Sequence, residues 1–285
     1  MHWLLDPFQS EFSQRAGLVC LMVGVLAPVV GTWISLRRLA YMGDAMSHSL
    51  LGGVALAFAW FGSNAVLPGA LVAGIFMAIT IHLLSQNKRV ANDSVIAVVG
   101  SGMFAFGVLA LGKVDTSVSL THFLFGQLLT VNTLDMWITT GLTIASLAFV
   151  WFRFEDLKIA TFDRDHATQV GVRAQRLDAA MLVLLAVCVV VCLSTVGTVL
   201  TVSLLITPAS TARLFFGRVS TITFAAVAIG LSEVITGFVV AYHADLAPGP
   251  TITLVTTVVF ISAYVVQFAT SDREYVHHTH EHDNH

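Results

Sequence analysis

The sequence predicts an all-α, polytopic membrane protein, and three observations carry that expectation. The 285-residue chain is 56% hydrophobic and only 11% charged, whereas a water-soluble domain has about 25% charged residues. Runs free of Asp, Glu, Lys and Arg recur along it, among them Ala16 to Leu36, Ala179 to Ala212 and Leu246 to Ser271. Several such runs in succession leave no room for reading any one of them as a buried core helix.

A bilayer-spanning helix needs roughly 20 mostly apolar residues. The spans drawn on that basis are Ala16–Leu36, Ala40–Gly62, Val66–Leu84, Ser94–Gly112, Thr133–Phe152, Ala179–Thr195, Val196–Phe216, Ser220–Tyr242 and Pro250–Phe268. The first is no signal peptide: it exceeds an h-region, lacks an A-x-A cleavage site and is followed by Arg37-Arg38. The clean runs Val95–Gly112 and Met136–Phe152 are slightly short, which tilt or snorkelling ends accommodate. The segment from Ala179 to Phe216 is either two spans or one broken span. Thr195, Gly197, Thr198, Thr201, Ser203, Thr207, Pro208 and Ser210 make it rich in helix interrupters.

Positive charge orients the spans. With nine spans and the N-terminus outside, all of the 14 Lys and Arg residues except Arg15 and Lys113 fall in the cytoplasm. With eight, Arg213, Arg218 and Arg273 move outside, so charge favours nine. The expected organisation is one transmembrane domain over residues 1–285, with a cytoplasmic loop at 153–178 and a His-rich tail at 272–285. No repeat at a fixed period is visible.

Composition also excludes whole classes. A net charge of −3 is not a nucleic-acid footprint. Cys20, Cys188 and Cys192, none in a CxxC pair, supply neither a disulfide scaffold nor a thiolate zinc site. The stretch Gly107 to Val114 resembles a phosphate loop but has Val where a magnesium-binding hydroxyl is needed, and it lies in a span. His280-Glu281 lacks the second histidine of HExxH. The chain therefore hydrolyses neither ATP nor peptides, and any ATPase is another polypeptide.

Asp44 and His48 are the sharpest chemical feature. They stand at i and i+4 in the second span, which puts both on one helix face. A carboxylate and an imidazole that close suit a borderline divalent cation such as manganese, zinc or iron, and an intramembrane carboxylate marks a functional pathway. The bland alternative is a hydrogen-bonded pair holding two helices together. Met42 and Met46 read as packing, while Gly43, Gly52 and Gly53 either let the backbone bend around an ion or, nearly as well, let helices pack closely. Glu233, the other intramembrane charge, could belong to an ion path but reads slightly better as structural, facing a partner span or paired with Ser232 or Thr236. His122 and His243 fall near external connections and are candidates to hand over an arriving ion. The tail histidines His277, His278, His280, His282 and His285 form a broken tract of the kind that binds transition metals.

The stretch Arg37-Arg-Leu-Ala-Tyr-Met-Gly-Asp-Ala-Met-Ser-His48 resembles the signature of the ABC-3 family, permeases of bacterial manganese, zinc and iron ATP-binding-cassette importers. The likeness continues through Thr121–Leu129, Thr161–Gly171, Val196–Arg213 and Ala247-Pro-Gly-Pro250, so it covers nearly the whole chain. It implies a multi-pass permease of the bacterial cell membrane that pairs with a second copy. It further implies a cytosolic ATPase subunit, an extracytoplasmic metal-binding protein that delivers the ion, and no permanently bound cofactor. The His-Phe-Leu-Phe-Gly run looks like the manganese branch. By this resemblance Asp44 and His48 are translocation-path ligands. Phe162–Val172, including Phe162, Asp163, Asp165, Ala167 and Gly171, is the coupling helix seated in the ATPase. Asp163 or Asp165 would cap its start. The competing readings are a proton-driven carrier using Asp44 and Glu233, and an intramembrane enzyme or scaffold, for which no catalytic constellation exists.

Overall fold

The computed structural model describes residues 11–62, 65–86, 89–112 and 133–282, which form eleven helices with no strand among them. In order these are α1 (Glu11–Leu36), α2 (Ala40–Ser49), α3 (Leu51–Phe61), α4 (Val66–Leu84), α5 (Asn92–Leu111) and α6 (Thr133–Phe152). They are followed by α7 (Phe154–Phe162), α8 (Arg164–Gln169), α9 (Ala174–Phe215), α10 (Val219–His243) and α11 (Pro248–His282). Helices dominate because a chain crossing hydrocarbon must satisfy each backbone N–H and C=O within its own segment.

Among the described residues six helices are long and apolar enough to cross a membrane, or seven if α6 and α7, bent by 64° at their junction, act as one broken span. The eight or nine spans drawn from sequence divide differently for two reasons. The second drawn span is cut at Leu50 into α2 and α3, of 10 and 11 residues. The sixth and seventh are continuous in α9, which is 42 residues long.

That continuity hides a reversal. Gly197 has φ 83° and ψ 172°, outside any helical region. Asp178, near the start of α9, contacts Arg37, and Arg213, near its end, donates to the Ser35 carbonyl at 3.0 Å. A straight helix would separate those two residues by about 52 Å at roughly 1.5 Å per residue. Their partners stand two positions apart on the chain, so α9 doubles back at Gly197 and both its ends lie at the C-terminal end of α1. Arg213 therefore lies at the face of Arg37, where the nine-span drawing puts it. Both legs are buried through most of their length.

The legs pack closely on their neighbours. A side chain at Gly31 would overlap the Leu205 carbonyl, and one at Gly43 would meet the Leu205 side chain. Gly52 lies against the Gly107 backbone and Gly53 against Ala73. All three glycines around Asp44 thus serve packing, as small residues do where helices approach in a membrane.

The Gly197 conformation is essentially restricted to glycine. Gly197→Ala should therefore cost about 1–3 kcal/mol, read as a lowered thermal-unfolding midpoint in detergent. Gly141→Ala is the control, since its added Cβ meets nothing within 4 Å.

Candidate metal site and the charged face

Helix α2 carries Asp44 and His48 one turn apart, with Met42 and Met46 buried on the opposite side. The His48 Nε2 stands 3.6 Å from the Asp44 Oδ1, and each side chain is 46% exposed. That distance is too long for a hydrogen bond, so the bland paired reading is not what the side chains form. The His48 ring lies edge-on to Phe104 of α5, with centroids 6.3 Å apart. No group of three or more His, Cys, Asp or Glu side chains converges among the described residues. Among the described residues the pair thus stands half-exposed on α2 with no third such side chain beside it.

The other histidines stand apart from it. His243 sits at the end of α10, its Nδ1 2.9 Å from the Val239 carbonyl. His122 and His285 lie outside the described residues. The backbone from His277 to His282 continues α11, so through His282 the tail leaves the last span as a helix.

Glu233 is buried on α10, on the face shared by Ala226, Gly230 and Gly237. The local pairing expected from sequence is not seen: Ser232 donates to the Ile229 carbonyl at 2.7 Å, and both Glu233 oxygens lack a hydrogen-bond partner.

At the C-terminal end of α1 the chain builds a charged face. The drawn coupling segment Phe162–Val172 is two pieces: Phe162 ends α7, and α8 begins at Arg164. Asp163 causes the division by capping α8, its Oδ1 accepting the His166 N–H at 2.8 Å. Asp165 sits in the first turn, exposed, and Ala167 is fully buried. Gly171, at φ 81°, closes the other end. The Val172 N–H reaches the Ala167 carbonyl at 2.8 Å and the Gly171 N–H reaches Thr168 at 3.2 Å, the Schellman arrangement. Phe162 and Val170 remain 63% and 52% exposed, an apolar surface beside a capped, rigid turn.

Beneath this surface lies a network that sequence reading did not anticipate. Arg37 Nη1 and Arg164 Nη2 each donate to Asp178 at 2.6 Å, and Arg37 Nε donates to Thr161 at 3.1 Å. Burial lowers the Arg37 pKa from its ordinary value, while the adjacent Asp178 raises it. The only hint in the sequence was position: Arg37 and Asp178 both flank long apolar runs.

Six or seven helices long and apolar enough to cross a membrane define a polytopic membrane protein. The chain belongs to the ABC 3 transport family, whose profile matches residues 9–267. It is accordingly a multi-pass membrane protein. It is 35% identical over 265 residues to the manganese transport system membrane protein MntC of Listeria monocytogenes, covering 93% of this chain and 94% of that one. It is 33% identical over 260 residues to the chelated iron transport system membrane protein YfeD of Yersinia pestis, covering 91% and 87%. The solved structure of PsaBC from Streptococcus pneumoniae in complex with Fab superposes with a TM-score of 0.80 at 33% identity, covering 92% of this chain and 94% of that chain.

The cap at α8 yields a direct test. Asp163→Ala should weaken the helix by about 1 kcal/mol. Faster amide exchange confined to residues 164–170, with the spans unaffected, would register it.

Proposed function

We propose that this chain forms the translocation path of an ATP-binding-cassette importer for a divalent transition metal, manganese foremost and iron next, with zinc less favoured. The observation that carries the reading is the Asp44–His48 pair. Two atoms 3.6 Å from one another can both reach a single ion at about 2.1 Å, subtending an angle of about 118° there. Hard carboxylate and borderline imidazole suit manganese or iron better than copper(I), which needs soft sulfur. The names borne by the Listeria and Yersinia relatives favour the same cargo. The proton-driven carrier has no support in those relatives.

In this reading the Arg37 face is cytoplasmic, the N-terminus is outside, and the cell membrane of a bacterium is the setting. Helix α8 and the exposed Phe162 and Val170 seat in a separate ATPase subunit, and hydrolysis belongs to that partner. An extracytoplasmic metal-binding protein delivers the ion, and a second copy of this chain closes the half-site. The tail histidines, downstream of translocation, bind released metal as a buffer.

Asp44→Ala or His48→Ala should abolish manganese accumulation by intact cells while surface expression stays normal. Uptake at the wild-type rate by the double variant would sink the site. For coupling, Ala167→Pro removes an N–H that donates to Asp163 at 3.0 Å and breaks the short helix at about 3 kcal/mol. The ATPase should then fail to co-purify. Retention at wild-type yield with normal uptake would exclude α8 as its seat.

A further inference from the structure

Asp178 joins parts of the chain that would otherwise be independent. One carboxylate oxygen holds Arg37 and the other holds Arg164, each at 2.6 Å. Arg164 is the first residue of α8. Arg37 follows α1 directly and leads, through Arg38 and Leu39, into α2 and Asp44. Arg37 also donates to Thr161 in the last turn of α7. Its side chain is only 10% exposed and its Nη2 has no partner, so apart from the Thr161 hydroxyl the guanidinium is held by Asp178.

The corner beyond it sets the direction in which α2 leaves α1. Arg38 adopts φ 59°, the left-handed region that favours glycine. Arg38 and Leu39 donate to the carbonyls of Ser35 and Ile34 at 3.2 and 2.9 Å, so the corner is defined but strained. An open cleft of about 720 Å³ beside these residues, lined by Arg37, Arg38, Arg164 and Asp178 and reaching Met42, leaves room for movement.

A static brace does not account for the arrangement. The Arg164 side chain is 69% exposed, and exposed ion pairs add little to stability. What Arg164 does add is a tie from α8 to a carboxylate already gripping the approach to α2.

We propose that Asp178 is a positioning residue that transmits displacement of α8 to α2, turning the strained Arg38 corner and so moving Asp44 and His48. The proposal rests on the importer reading given above. A shift of α8 draws on Arg164, Arg164 draws the Asp178 carboxylate, and Arg37 follows because its only carboxylate partner has moved. The ion's two ligands stand seven and eleven residues further along.

The test uses the whole importer in proteoliposomes, reading radioactive manganese uptake and ATP hydrolysis with and without manganese-loaded binding protein. Asp178→Asn should keep the ATPase bound but lose stimulation by the loaded binding protein, with uptake down about tenfold or more. Asp178→Glu should recover both. Arg164→Ala should lose stimulation with its unfolding midpoint unmoved, which decides the matter if Asp178→Asn folds poorly. Wild-type stimulation and uptake in Arg164→Ala would overturn the proposal, as would loss of the ATPase from Asp178→Asn. Wild-type complex that imports no manganese on ATP would instead overturn the importer reading itself, and this proposal with it.

Discussion

Hydrocarbon offers no hydrogen-bonding partner to a backbone amide, and the rest of this structure follows from that. Each crossing segment must close its own hydrogen bonds, which leaves the α-helix as the available form. With lipid as apolar as leucine, helices then gain cohesion from close approach rather than from hydrophobic burial. Gly31 against the Leu205 backbone, and Gly53 and Gly69 against Ala73 and Ala57, are where that approach is tightest. Gly43 meets the same Leu205 side chain from α2. One turn of the second leg of α9 thus touches both the first helix and the helix that carries Asp44.

How much of this was legible in the sequence depended on the range of the interaction. Apolar run length reports a span directly, so the order of helices and most of their bounds were readable. The reversal at Gly197 was signalled by the Thr, Gly and Pro residues around it. The cut at Leu50 was not, because leucine there has ordinary helical torsions, φ −65° and ψ −18°. Asp44 and His48 were legible because their relation is local, one turn of one helix. The Asp178 network was not: its partners lie 141 and 14 residues away in sequence, and no pattern encodes such pairing. Asp163 was seen as a capping residue, but its consequence, the separation of Phe162 from α8, needed backbone geometry.

Charge is distributed accordingly. The described pairs of Lys or Arg with Asp or Glu gather at the helix ends, where Arg37, Arg153, Lys158 and Arg164 meet Asp178, Asp156 and Glu155. There water and neighbouring guanidinium groups offset the cost of ionised side chains. Inside the bundle the exceptions are few. Glu233 is buried without a hydrogen-bond partner on a seam lined by glycines, an arrangement for which no role emerges from its surroundings.

The openness of the Asp44–His48 pair fits the proposed transport role better than a complete site would. A cage supplying every ligand from one rigid chain would hold a divalent ion tightly and release it slowly. Conduction requires binding favourable enough to enter yet weak enough to leave. A half-site whose remaining ligands come from outside this chain meets that requirement, because separating the contributors lowers the coordination number at once. The pair is also carried on α2, a short helix bounded by the strained Arg38 corner and the Leu50 break. Gly43 packs it on Leu205 of α9, so its position follows that leg as well as the Arg38 corner. Affinity that changes with the position of one short helix is what an ATP-driven cycle needs at its cargo site.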